Sequence, residues 1–286
     1  MGCSTSHIQT PVIRAPEYNV ALKLIHGVKC IVYDHRQKDF VVKDDIHTWI
    51  YDCFRGKTIK HYINYNDEHK DKVSSSGGHC KGCIAWNDTE VYWLVHSVPK
   101  FMVHFDNDGQ INIPDTVIAA SEQIYGQSFV FATVFSLDGI LSHVAAMHPF
   151  VDLNTSNAEL PKVDTMILSA VSLSSVLEHI AKPPSVHIDI FSEYIQLRYG
   201  GIWRCETWRR GHYCPERNEV IDNSTVRVKN EIVYSSSHDH SKYACNDKDK
   251  VYIGDLNRMT TQYHRGGGGF IITDAGLAAA IRELFR

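Results

Sequence analysis

No run of about 18 or more apolar residues occurs in the 286-residue chain, so no helical membrane span is expected. Residues 1–18 read as an N-terminal tail without the apolar stretch of a secretory signal. Gly2 and Ser6 do fit an acylation pattern, with Cys3 available to a second lipid. A second C-x-x-C is lacking. Cys80 and Cys83 therefore have no partner pair for a zinc site, and Cys205 with Cys214 reads better as a disulfide. The glycine run Gly266–Gly269 leads into Phe270, not the Lys-Ser/Thr of a P-loop. No calcium loop follows Asp106 and Asp108, so these carboxylates and Glu90 read as solvated turns, and no metal site is expected. Positive charge is also scarce. The formal net charge is −4, which gives no standing excess of cations for a polyanion.

What the chain has instead is histidine. Its 17 imidazoles titrate near pH 6.5, so mild acid would reverse the sign of the net charge and make attraction to phosphate depend on pH and salt. With 43% apolar and 22% charged residues the composition is globular, and the length suits one large domain or two medium lobes.

Alternating segments between Tyr18 and Cys53 read as strands, and polar residues 54–78 as a loop. Gly82–Trp86 and Val91–Val98 flank Asn87–Glu90 as a hairpin. Helices are expected at 114–125, near 173–181, near 192–199, and at the C-terminus behind an Asp274 cap. Strands are expected at 129–135, 165–171, 202–209, 226–234, 251–254 and 270–273, with Arg265–Gly269 as a loop. Residues 151–162 have linker composition. The pattern restarts after them, giving a mixed α/β (α+β) reading with a first lobe at 19–150 and a second at 163–286.

The chemistry sits in a doubled motif. His79-Cys80-Lys81 and His240-Ser241-Lys242 each open a strand–turn–strand unit, and in a strand residues i and i+2 share a face. His96 and Asn257 each lie 17 residues beyond the histidine of their motif. Such a set suits a phosphodiester. Lys81 and Lys242 can stabilise charge on the equatorial oxygens, one neutral histidine can attack phosphorus, and a protonated one can serve the leaving oxygen. Asn257 can bond a phosphate oxygen. Asp255 can accept a ring N–H and fix a tautomer, Arg258 or Arg265 can hold a neighbouring phosphate, and backbone N–H groups at Gly266 and Gly267 can approach it. Trp93, Trp203 and Trp208 read as core residues.

The segments GGHCKGCIAW…VYWLVHSVP and DHSKYAC…IGDLNR…QYHRGGGG resemble the two signature regions of the deoxyribonuclease II family. The resemblance is close over 77–100 and 238–270, and collinear from about residue 19 onward. It implies a metal-independent acid endonuclease with DNA as substrate, no cofactor, and 3′-phosphate and 5′-hydroxyl products. It also implies two phospholipase-D-like lobes related by a pseudo-dyad, with His79, Lys81, His96, His240, Lys242 and Asn257 in the catalytic places. The usual lysosomal or secreted address would follow from the family, not from this N-terminus. Two other readings differ in class: an inactive nucleic-acid-binding protein on the same fold, against which both intact motifs argue, and a phosphodiesterase acting on phospholipid.

Overall fold

A computed structural model describes residues 17–69, 72–73, 77–164, 167–208, 219–229 and 232–285. The tail to residue 16, including Gly2 and Cys3, lies outside these, as does Cys214. Two seven-stranded sheets form the frame. In spatial order the first is β3 (Asp39–Lys43), β2 (Cys30–Asp34), β1 (Tyr18–Lys23), β9 (Gln127–Val134), β8 (Val91–His96), β7 (Gly82–Trp86) and β4 (His61–Tyr65). The second is β10 (Ser169–Ser172), β11 (Leu177–Lys182), β18 (Gly267–Thr273), β17 (Lys250–Gly254), β16 (Lys242–Asn246), β12 (Trp203–Thr207) and β13 (Val220–Asp222). Neighbours are antiparallel except β12 with β13. Two small hairpins, β5 (Glu68–His69) with β6 (Lys72–Val73) and β14 (Thr225–Val228) with β15 (Ile232–Ser235), stand apart.

Burial explains why the central strands carry apolar residues at consecutive positions. On β8, Val91, Trp93 and Val95 enter the core between the sheets, while Tyr92 and Leu94 enter a second core on the outer face. That outer core is roofed by α1 (Ile46–Phe54), which packs Ile46, Trp49, Ile50, Cys53 and Phe54, spaced as one helical face. Asp45 caps α1 by accepting the His47 N–H. The outer face of the second sheet is covered by Ile190, Phe191 and Ile195, just ahead of the short α4 (Gln196–Tyr199). The closing helix α5 (Ala275–Glu283) starts as expected, with Asp274 accepting from the Gly276 and Leu277 N–H groups.

Several expectations are corrected. Residues 177–182 are strand β11, not helix: the segment is paired on both sides, with β10 and β18, and buried on both faces, which removes the alternation that separates strand from helix. Of 114–125 only α2 (Ala120–Gln123) is helical. The Thr116 hydroxyl accepts from His104 N and donates to Asn112 O, which holds the chain ahead of α2 in an irregular turn. The polar stretch 54–78 contains β4 and β5–β6, and the glycine run belongs to β18. Residues 151–162 lie against the outer edge of β4, where Ser156 and Asn157 side chains accept its free N–H groups, a cover for an otherwise open edge. Cys205 is a buried free thiol, and Cys214, its expected partner, lies outside the described residues.

Trp93 joins the two sheets. It stacks on His179 of β11 with ring centroids 4.2 Å apart and donates its indole N–H to Tyr65 at 2.8 Å. Trp93→Ala is expected to lower stability by about 3–5 kcal/mol in urea unfolding. A loss under about 1 kcal/mol would mean that the sheets do not depend on this contact.

Candidate active site

Strand register gives the symmetry of the site. Gly82 pairs with Val95 and Tyr243 with Ile253, each directly after its His-x-Lys motif. Superposing the motifs therefore sets His96 on Gly254 and Ser97 on Asp255. Phe129 faces His96 and Gly269 faces Gly254, so Gly126 corresponds to Gly266. The shared spacing of 17 residues is thus not a structural equivalence. Asn257 lies three positions beyond the counterpart of His96.

The halves exchange backbone hydrogen bonds across this dyad. His79 N–H donates to Gly266 O at 2.7 Å, and His240 N–H to Gly126 O at 2.8 Å. Within each half a matching side-chain bond forms: Ser128 N–H donates to Ser97 Oγ at 2.9 Å and Gly268 N–H to Asp255 Oδ1 at 2.8 Å. His240 is held by the glycine that precedes β9 and His79 by the glycine that precedes β18.

His79, Lys81, His240 and Lys242 line one cleft of about 200 Å³, with Asp67, Glu68, Ser97, Pro99, Glu122, Tyr125 and Trp208. His79 donates through Nδ1 to the Asp255 carbonyl at 2.7 Å, because a carbonyl can only accept. Its Nε2 lies 3.5 Å from Asp67 Oδ2. Burial, then Lys81, hold the His79 imidazole well below its ordinary pKa. Lys81 Nζ is 2.5 Å from Asp67 Oδ1. His240 stacks on Tyr125 with centroids 4.0 Å apart, meets the edge of Trp208 at 4.5 Å, and sets Nδ1 3.6 Å from Glu122. Burial lowers its pKa and Glu122 opposes the shift. Lys242 Nζ donates to the His240 carbonyl, and burial together with the Lys81 charge brings it down to about 7.

Asp67 balances this charge. Burial alone would raise its pKa, but Lys81, His79 and Arg265 outweigh burial and keep it below the ordinary carboxylate range. Sequence reasoning missed Asp67, Glu122 and Tyr125. None belongs to a repeated motif, and all three reach the cleft from loops or a one-turn helix. Trp208 also lines the cleft, half-buried, while Trp93 and Trp203 are core residues as expected.

The remaining candidates divide. Arg265 is at the site: it donates to Gly77 O and Gly78 O and stands 3.6 Å from Asp67, bracing the turn into His79. Arg258 is not. Its guanidinium is fully buried, 2.9 Å from Asp189 and 2.6 Å from Asp222, so its charge is spent inside the second half. Asp255 orients His79 through its main-chain carbonyl. Its buried carboxyl takes Gly268 N–H and Lys81 N–H, and burial lifts it to about 7. Gly266 offers its carbonyl to His79, not an N–H to an anion, and Gly267 belongs to β18, where the glycine run allows close strand approach: a Cβ on Gly268 would sit 2.2 Å from Ile180 O. His96 is set behind the cleft wall. Val98 N–H donates to its Nδ1, Phe101 and Phe129 flank it, and burial lowers it to about 3, so it is neutral. Asn257 is buried, with no hydrogen-bond partner at either end of its amide among the described residues. Cys80 and Cys83 face different cores, so the C-x-x-C is not a paired thiol site. Among the described residues no three His, Cys or acidic side chains gather as metal ligands, and no helix is long and apolar enough to cross a membrane.

Fold and cleft together define a two-halved phosphodiester-directed scaffold in which each half gives one His-x-Lys pair to a shared site. The chain belongs to the deoxyribonuclease II family, a family of nuclease hydrolases with a phospholipase-D-like fold: its family model matches residues 48–286. The chain is 28% identical to deoxyribonuclease-2-beta of Rattus norvegicus over 77% of its own length and 68% of the relative's. To deoxyribonuclease-2 of Caenorhabditis elegans it is 29% identical, over 76% of its own length and 62% of the relative's. To plancitoxin-1 of Acanthaster planci the figures are 25%, 85% and 76%.

Arg258 gives the sharpest contrast with the sequence reading. Arg258→Met removes the cationic partner of two buried carboxylates and is expected to cost about 3–5 kcal/mol in urea unfolding. A cost below about 1 kcal/mol would mean that water screens these pairs.

Proposed function

We propose that the chain is an endonuclease that hydrolyses DNA phosphodiesters at acid pH without a divalent metal, leaving 3′-phosphate and 5′-hydroxyl ends. The observation that carries this reading is the convergence of His79, Lys81, His240 and Lys242 on one cleft. The two ammonium groups take the role of a metal by stabilising charge on the transferring phosphoryl group. The Asp255 carbonyl fixes the His79 proton on Nδ1, so Nε2 keeps a lone pair for attack on phosphorus. That attack forms a phosphohistidine and expels the 5′ oxygen, which takes a proton from His240. The Glu122 carboxylate supports the protonated form of His240. Water, deprotonated by His240, then releases the 3′-phosphate and restores His79. We assign to Arg265 and Asn257, beside the cleft, the steadying of the anion, and neutral His96 supports the strand end that carries the cleft wall.

Acid preference follows from the same groups. Lys242, lowered to about 7, gains its positive charge as pH falls through that value, so phosphate binding strengthens on the acid side. His240 must also be protonated to act as an acid, and its pKa is lowered too. His79 must stay neutral to attack, and burial holds its pKa well below the ordinary value. The rate therefore rises as pH falls below 7, then drops once His79 protonates.

Plasmid nicking at pH 5 with excess chelator tests this directly. Cutting is expected to persist with chelator, and His240→Ala to lower the rate by roughly 10²–10⁴-fold. A requirement for magnesium, or 5′-phosphate ends, would overturn the mechanism.

A further inference from the structure

Two lysines outside the cleft repeat one arrangement in both halves. Lys23 ends β1 opposite Gln127, and Lys182 ends β11 opposite Gly267, positions that the dyad makes equivalent. Both side chains are buried, at 0% and 1% exposure, and neither has a carboxylate hydrogen-bonded to it among the described residues. Their ammonium groups donate to main-chain carbonyls instead. Lys23 Nζ reaches Gly27 O at 3.0 Å and Gln123 O at 2.9 Å, with Leu24 O at 2.8 Å. Lys182 Nζ reaches Val186 O at 2.8 Å and Tyr263 O at 2.8 Å. In each half one acceptor is four residues after the lysine. The other is three residues before the glycine whose carbonyl holds the opposite half's histidine, Gly126 for His240 and Gly266 for His79.

Burying an ammonium group is costly, and burial draws both lysines down to about 8. A lysine placed there for packing alone would be replaceable by methionine, yet the two halves keep the same carbonyl set while their loop sequences differ. The segments so held carry the groups that face the histidines. Residues 123–126 follow Glu122 and include Tyr125, against His240, and residues 263–266 include Arg265, which braces the turn into His79.

We infer that Lys23 and Lys182 are a matched pair of positioning residues, each clamping through main-chain carbonyls the loop that orients one histidine of the cleft: Lys23 for His240, Lys182 for His79. The assignment rests on the reading of those histidines as the reaction centre, but its test does not need DNA cleavage. Titration of the two imidazoles by NMR in Lys23→Met and Lys182→Met is the experiment. Lys23→Met is expected to shift the His240 midpoint by about 0.5 pH unit or more while leaving His79 in place, and Lys182→Met to do the reverse. Turnover on plasmid DNA should fall roughly 10-fold or more in each, with KM nearly unchanged. A structural role alone would move both imidazoles together or neither, and either result overturns the assignment. Should a Met variant not fold, Lys→Gln, which keeps an N–H donor on a shorter stem, is read in the same way. Failure of every variant to fold would also overturn it, since the lysines would then support the whole fold and not two loops. Selective NMR shifts without any cleavage by the native chain would uphold the clamps and sink the nuclease reading.

Discussion

Inside the cleft the Lys81 charge lies close enough to Lys242 to oppose its protonation. Like charges in low dielectric repel strongly, and such a pair persists only where the surroundings compensate it. Asp67 does so for Lys81, while Lys242 has a main-chain carbonyl and is left only marginally charged at neutrality. On the proposed reading the cleft is an anion site, and its electrostatics are local. That resolves the tension with a net charge of −4. A seat for one phosphate needs converging cations at one point, which total charge does not measure.

Holding those groups together falls to the dyad. A histidine contributed by each half is tied by its own N–H to a carbonyl of the other half, so neither half completes the site alone. The contact requires the chain just ahead of β9 to approach His240 and the chain just ahead of β18 to approach His79. Gly126 and Gly266 permit it: a Cβ on Gly126 would meet Asp239 at 2.5 Å, and one on Gly266 would meet Met147 O at 2.0 Å. The glycine run that looks like a phosphate-binding loop is therefore a packing device.

How much was legible follows from what each feature depends on. The His-x-Lys pairs, the hairpins behind them and the Asp274 cap are local patterns, and sequence reads them. The face of α1, with apolar residues at 46, 49, 50, 53 and 54, is equally local, but it follows strands whose alternation carries the strand reading on through Cys53. β11 was not readable, since a segment buried on both faces loses its period. Arg258 and Asp67 fail for a different reason. An arginine next to a motif and an aspartate far from it look alike until tertiary structure decides which one meets a buried counter-charge. Here Asp189 and Asp222 hold the first, and the cleft takes the second.

A two-fold site is symmetric by construction, whereas cleaving a phosphodiester requires one group to give electrons and another to give a proton. Divergence at dyad-related positions supplies the difference. Where the second half has Arg265, which braces the turn into His79, the first has Tyr125, whose ring lies flat on His240. Where the second half has Asp255, whose carbonyl holds His79, the first has Ser97, and His240 meets the Glu122 carboxylate instead. Each ring has a carboxylate near it, but Asp67 beside His79 is taken up by Lys81 and Arg265, whereas Glu122 beside His240 has no lysine or arginine ion pair among the described residues, which leaves it freer to favour an imidazolium. On the proposed reaction His79 is therefore suited to attack and His240 to proton transfer. Identical motifs with unlike neighbours are enough to divide the labour.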